Sequence, residues 1–313
     1  MNEKDYIYEV YKEKSFSQAA KNLYLSQPAL SASVKKVEKE LGITIFDRST
    51  SPIVLTEEGK VYIESIEKMR AVEEEMNNKL LDMSELKSGK IRVSGENFVS
   101  SFVMPKIIMA FTKKYPGIEI ELVESNSPDL RQLLLNDSID LLIAHDFDKA
   151  QYKSIPLFEE TLLLAVSNNL PVNKGLESYL LTREDIINGK HLFNDCPRVN
   201  LSSFEDCPFL LLKKGNDTRR RASVLFAEAN FEPKVVKIYL DQLITSYNMV
   251  CAGMGVAIVN DNLVKSSNQS GCVYYKLSGR SAYRVMSIGY KKNKYCSKVM
   301  QAFINTAKEV YKS

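Results

Sequence analysis

Gln27, Ser31, Ser33 and Lys35 are side chains suited to reading another surface through hydrogen bonds. They fall in SQPALSASVKKVEKELG, residues 26–42, with Pro28 and Ala29 beside Gln27. Glutamine can bond adenine through two hydrogen bonds, serine can donate or accept, and small apolar faces such as Ala and Pro can touch a thymine methyl. Lysine heads and a helix N-terminus can hold phosphates. The chemistry on offer is non-covalent recognition of base edges, since an ordinary solvated helix face would carry Glu and Lys at these positions.

Those side chains share a face only if the stretch is helical. Leu30, Val34, Val37 and Leu41 supply the apolar stripe that would anchor such a helix. Ser26 suits its N-cap and Gly42 its C-terminal stop. Ser17 is expected to cap a short preceding helix with Ala19, Ala20 and Leu23 inward, and Tyr24-Leu25 to form the break. Two helices joined by a tight turn, the second lying in the major groove, form a helix-turn-helix. TIFDRSTSPIVLT, residues 44–56, reads as a wing of two short strands. Arg48 is expected at its tip, placed to enter a minor groove or meet a phosphate.

Residues 57–88 read as one long helix with Thr56 as N-cap and Glu57 and Glu58 in its first turn. Tyr62, Ile66, Met69, Glu73, Met76, Leu80 and Met83 follow a heptad seam whose one polar interruption is Glu73. A rod of about 45 Å with a lone apolar stripe calls for a partner helix. Tyr62, Ile66, Met69, Met76, Leu80 and Met83 are therefore assigned to dimerisation, the alternative being that the stripe packs on its own chain.

From Gly89 onward strands and helices alternate. KIRVSG, GIEIELVES and IDLLIA read as strands separated by helical segments, and FLLLKKG, KVVKIYL and GVAIV repeat the rhythm further on. Such alternation predicts mostly parallel sheet covered by helices. Two α/β lobes would enclose a crevice at the carboxyl ends of their strands, where ligands bind in such folds. Ser100, Ser101, Ser127, Asn216 and Thr218 fall at expected helix starts, and His145 follows a strand end. Hydroxyl-bearing helix starts suit a carboxylate or similar anion, although Asp217 would repel one. Arg219, Arg220 and Arg221 read as solvated helix surface.

Composition narrows the functional classes. The chain has 313 residues, 44% of them hydrophobic, enough for two or three units with their own cores. A net charge of +3 identifies no partner. With no leader-like segment and no long apolar run, a cytoplasmic, non-membrane protein is expected. Five scattered cysteines without CxxC spacing and two histidines support no zinc site, so no metal or cofactor is expected. Gly253-Met254-Gly255 is followed by Ile258 where a dinucleotide fingerprint needs glycine. No nucleophile elbow or phosphate-binding loop occurs, so no catalytic residue is assigned and the chain is not read as an enzyme.

The pattern FSQAAKNLYLSQPALSASVKKVEKELGITIFDR…IVLTEEG closely resembles the DNA-binding signature of LysR-type transcriptional regulators. MPKIIMAFTKKYPGIEIELVESNSPDLRQLLLNDSIDLLIAH, PFLLLKKGNDTRRRASVLFAEANFEPKVV and VCAGMGVAIV resemble that family's effector domain, while residues 168–206 match weakly. The resemblance implies a multi-domain fold: an all-α-rich winged helix-turn-helix over residues 1–58, a linker and dimerisation helix over 59–88, and a two-lobed, periplasmic-binding-protein-like α/β effector domain over 89–313. Lobe I is expected at about 89–163 and 269–313, and lobe II at about 164–268. It further implies that Gln27, Pro28, Ala29, Ser31, Ser33, Lys35 and Arg48 face double-stranded DNA at an inverted-repeat operator. A small-molecule effector would bind between the lobes, with Ser100, Ser101, Ser127, His145, Asn216 and Thr218 as candidate contacts, and modulate DNA binding, with RNA polymerase a partner if the protein activates. Family habit adds assembly as a homodimer or homotetramer and places the regulated gene beside its own. The alternative is a redox sensor of the same family using Cys196 and Cys207, against which Asn216, Asp217 and Thr218 stand where peroxide-sensing members carry the reactive cysteine.

Overall fold

The computed structural model describes residues 3–82, 88–124 and 127–312, with only the backbone described at residues 81, 127 and 128. It divides into two compact units, Met1–Leu80 and Leu81–Ser313.

The first unit contains α1 (Glu3–Glu13), α2 (Phe16–Asn22), α3 (Gln27–Leu41), β1 (Phe46–Asp47), β2 (Val54–Leu55) and α4 (Glu57–Leu81). The cap of α2 is Ser15 rather than the expected Ser17, its side chain accepting from the Gln18 amide. Tyr24 adopts a left-handed φ of 55°, which makes the break before α3. Ser26 caps α3, accepting from the Ala29 amide at 3.3 Å, and Gly42 ends it at φ 68°. Leu30, Val34 and Val37 are buried beside Ile7, Val10 and Ala19, each contributing roughly 1.5–3 kcal/mol. Leu41 does not join them: it is 51% exposed, because the last turn of α3 runs past the core that the first three residues fill. Strands β1 and β2 pair antiparallel through Phe46–Leu55 and Asp47–Val54. Thr56 caps α4, receiving the Gly59 amide at 2.9 Å. A Cβ on Gly59 would stand 2.0 Å from the Ile45 carbonyl oxygen, so only glycine lets α4 approach the wing this closely.

The second unit begins with β3 (Gly89–Gly95), a π-helical turn over Val99–Val103, and α5 (Met104–Lys114). There follow β4 (Ile118–Glu124), α6 (Ser127–Leu135), β5 (Leu141–Ala144) and the long β6 (Tyr152–Ser167). The next segment holds β7 (Leu180–Leu181), α7 (Arg183–Ile187) and β8 (Arg198–Val199). The series β9 (Pro208–Leu212), α8 (Asp217–Glu228), β10 (Val235–Leu240), α9 (Leu243–Cys251), β11 (Val256–Asn260) and α10 (Asp261–Ser266) comes after it. The chain closes with β12 (Cys272–Leu277), β13 (Tyr283–Lys291) and α11 (Lys298–Tyr311).

Strand order β10-β9-β11-β6-β13-β5-β3-β4 runs through both lobes, with β12 also on β6. Parallel pairing joins β3 to β4 and β5, and β9 to β10 and β11. Strand β6 belongs to both lobes. Its Tyr152–Thr161 half pairs with β13, while Leu162–Val166 pairs with β11 and Leu163–Ser167 with β12. The chain thus crosses outward near residues 161–162 and returns between Leu277 and Tyr283, about ten residues later than the expected return at 268–269. Strand β12 belongs to lobe II because its edge partners, β7 and β8, lie there. The crossing is pinned by buried Asp261, which accepts from the Thr161 amide at 3.0 Å and lies 3.1 Å from His191. The five apolar residues Leu162–Val166 are all buried, as a strand with neighbours on both faces requires.

Candidate DNA interface and candidate effector cleft

On α3, Gln27, Pro28, Ala29 and Lys35 are exposed, and Ser31 and Ser33 are half-buried. They lie outside the buried Leu30–Val34–Val37 stripe, Pro28 and Lys35 opposite it and the others on its flanks. Arg48 is placed differently from the expectation. It follows β1 directly rather than tipping the wing, and it folds back on α3. Its Nη1 donates to the Ser31 hydroxyl at 2.9 Å, its Nη2 to Glu38 at 3.0 Å, and its guanidinium lies 4.6 Å from the Phe16 ring centroid. Glu38 in turn accepts the Ile45 and Phe46 amides. Arg48 therefore clasps the wing to α3, and Ser31 is partly engaged within the protein. Tyr24, at the break before α3, is 96% exposed.

The expected seam on α4 divides in two. Ile66 is buried in the core of the first unit and so unavailable to a partner helix, while Tyr62 packs half-buried against the same core. Met69, Val72, Met76 and Leu80 remain exposed at 41%, 68%, 54% and 57%. Met83 lies outside the described residues.

In the second unit a cleft of about 240 Å³ opens between the lobes. Lobe I contributes Glu96, Asn97 and Phe98 after β3 and His145 after β5. Lobe II contributes Lys214 and Asn216 before α8. Of the expected contacts, His145, Asn216 and Thr218 line it. Ser100 is buried and its hydroxyl donates to the Gly95 carbonyl, while Ser101 is exposed, and neither reaches the cleft. The backbone after β3 winds into a π-helical turn, which brings residues 96–98 to the opening in their place. The Ser127 side chain lies outside the described residues.

The cleft floor is a charged network that the sequence did not reveal. Arg284 of β13 is buried and donates from Nε to Glu160 at 2.5 Å, and from Nη1 to Asp217 at 2.8 Å and Thr218 at 3.2 Å. His145 Nε2 is 2.8 Å from the same Glu160 oxygen, and its Nδ1 is 3.6 Å from Asp217. Burial opposes ionisation of Glu160, but the Arg284 and His145 beside it outweigh that penalty and its pKa is lowered. Asp217 is likewise desolvated, yet Arg284, His145 and Arg221 bring its pKa down to about 2. Asp217, which argues against an anionic ligand, is held ionised, with its charge offset by Arg284, Arg220 and Arg221. Asn216 caps α8 by accepting from the Thr218 amide at 2.9 Å.

The arginines of α8 are not simply solvated surface. Arg221 is mostly buried, with Nη2 2.8 Å from Asp146 of lobe I, and Arg220 bonds the same carboxylate. These pairs join the lobes beside the cleft. Patterning could not disclose them, because Asp146, Glu160, Asp217 and Arg284 come from four separate elements. The cysteines suggested for redox sensing do not pair either: Cys196 and Cys207 are buried in different hydrophobic clusters, and burial pushes the Cys207 thiol up.

Residues 1–60 match the bacterial regulatory helix-turn-helix protein, lysR family, and residues 84–312 match the LysR substrate binding domain. Over 312 residues the chain is 27% identical to the uncharacterized HTH-type transcriptional regulator YcgK of Bacillus subtilis, covering 98% of this chain and 94% of that one. A probable RuBisCO transcriptional regulator of Phaeodactylum tricornutum is 26% identical over 301 residues, covering 95% and 92%. Among solved structures, a full-length OxyR variant from Pseudomonas aeruginosa superposes with TM-score 0.71 at 22% identity, over 100% of this chain and 97% of that one. CbnR in complex with its target DNA gives 0.64 at 18%, over 99% and 100%. With helix-turn-helix and substrate-binding segments together spanning nearly its whole length, the chain belongs to the LysR family of transcriptional regulators.

Proposed function

We propose that this regulator reads an inverted-repeat operator through α3, pairs through α4, and adjusts its grip on DNA when a small metabolite occupies the cleft. The observation that carries the reading is the two-sided character of α3. Leu30, Val34 and Val37 are locked into the core while Gln27, Pro28 and Ala29 stand exposed in its first turn. That first turn is the part of a recognition helix that meets base edges. Exposed Met69, Val72, Met76 and Leu80 form the apolar strip that a second α4 would cover.

The cleft suits a small polar ligand carrying an anionic group. Lys214 and the start of α8 stand at its wall, Asp217 behind them and Asp241 beside Lys213 are charge-compensated, and the Glu96 carboxylate lines the same cleft. A ligand that bridges lobes I and II shifts the equilibrium only by its differential affinity for the two lobe arrangements. The Asp146–Arg220/Arg221 pairs are the contacts such a shift would remake.

Footprinting on the DNA flanking the protein's own gene tests the reading. Protection of an inverted repeat is expected. Gln27→Ala should cost about 1–3 kcal/mol of discrimination between that site and a base-substituted one. Equal discrimination by Gln27→Ala and wild type would remove α3 from base readout.

A further inference from the structure

Two cysteines that nothing in the sequence brought together meet in lobe II. The Sγ atoms of Cys251 and Cys272 are 2.9 Å apart. Cys251 is the last residue of α9 and Cys272 the first of β12. Gly271 makes the approach possible: at φ +95°, it lies so close that a Cβ would be 2.3 Å from the Cys251 carbonyl oxygen. Cys272 is held from the other side by its pairing with Ser167 of β6. Both residues are of intermediate burial, unlike the buried Cys196 and Cys207.

We propose that Cys251 and Cys272 form a hydroperoxide-responsive dithiol that closes to an intrachain disulfide. The sulfurs need to move together by less than about 1 Å to reach bonding distance. The surroundings separate their roles. The hydrogen bond from Cys251 lowers the Cys272 thiol to about 7, against the opposing effect of burial, and the Tyr274 and Tyr247 hydroxyls add to the lowering. Cys251 is pushed up by the same hydrogen bond and by burial. Tyr274 OH lies 3.2 Å from Cys272 Sγ and 2.6 Å from Tyr247 OH, a hydroxyl pair placed to stabilise a thiolate.

Cys272 is the attacking sulfur. Its thiolate takes the distal oxygen of the hydroperoxide, the O–O bond breaks, and the departing alkoxide picks up a proton to leave as alcohol. Cys272 is then a sulfenic acid, oxidised by two electrons. The Cys251 sulfur attacks it, the S–S bond forms, the S–O bond breaks, and hydroxide leaves with the Cys251 proton as water. The cross-link ties β12 to the C-terminal end of α9, whose first residue, Leu243, lines the cleft.

The test uses the full-length protein, reduced and then titrated with hydrogen peroxide, with differential alkylation read by peptide mass spectrometry. The expected product is one Cys251–Cys272 cross-linked peptide per chain, reversed by dithiothreitol, while Cys196, Cys207 and Cys296 remain free. Its rate should rise with pH through a midpoint near 7. Cys251→Ser should stop at a sulfenic acid that dimedone traps on Cys272. Cys272→Ser should consume peroxide at least about tenfold more slowly. Far-UV circular dichroism checks that both variants keep the native fold. Any other pairing, a cross-link between chains, thiols still alkylated at excess peroxide, or Cys272→Ser reacting at the wild-type rate would overturn the assignment.

Discussion

Replacing Arg284 by Met keeps most of the side-chain volume but leaves the floor of the cleft with unbalanced charge. Glu160 would lose the guanidinium at 2.5 Å and face only His145 at 2.8 Å. Its other oxygen has no protein partner among the described residues. Asp217 keeps Arg220 and Arg221, so most of the penalty falls on Glu160. Breaking one side of a buried ion pair costs about 3–5 kcal/mol. For a unit of this size that corresponds to a fall of about 6–20 °C in the Tm of the effector unit. The double variant Arg284→Met/Glu160→Met exchanges the pair for apolar contact and should recover most of the loss, since the desolvation cost of both charges disappears with them. The chain has no tryptophan, so far-UV circular dichroism melts are the suitable measurement. A single-variant loss below about 1 kcal/mol, or a double variant as unstable as the single one, would show that the network does not hold the cleft together.

Arg48→Ala separates a clasp from a DNA contact: the first unit should lose about 1 kcal/mol of stability while the salt dependence of operator binding stays unchanged. A fall of about one in the salt slope would instead assign Arg48 to a phosphate. Met76→Glu combined with Leu80→Glu places charge in the exposed strip of α4 and should shift the assembly to monomer in sedimentation velocity runs. An unchanged oligomer would put the pairing surface elsewhere. Asp217 has a folded pKa of about 2 against an ordinary 3.8, so its ionised form stabilises the native state by roughly 2 kcal/mol. That contribution is complete above about pH 4 and drains away as the pH falls toward 2. Urea midpoints over that range should drop more steeply for wild type than for Asp217→Asn, and parallel curves would refute the assignment.

Much of this molecule was legible in the chain because the relevant forces are local. Ser26, Gly42 and Thr56 act on backbone groups within a few residues of themselves, and the Leu30–Val34–Val37 spacing follows from helix geometry alone. The alternation of strands and helices after Gly89 was readable for the same reason: a buried parallel strand must be continuously apolar. The failures are equally instructive. Leu41 obeys the helical spacing yet is exposed, because spacing defines a face and not the extent of the core that covers it. Tyr62 and Ile66 obey the heptad yet pack within their own unit, since an apolar stripe does not say which surface reaches it first.

What tertiary structure alone decided is which distant residues share a dielectric environment. Arg284, Glu160, His145 and Asp217 are ordinary members of their own segments. They become one network only when β13, β6, β5 and α8 converge at the crossing between the lobes. Arg48 looked like a free cation on a wing until the fold set Glu38 and Phe16 against it. Cys251 and Cys272 likewise needed Gly271 to bring a helix end against a strand start. Local sequence can specify helices, caps and the face of a recognition element, because those depend on neighbours in the chain. Charge compensation and thiol pairing depend on neighbours in space, and only the folded chain supplies them.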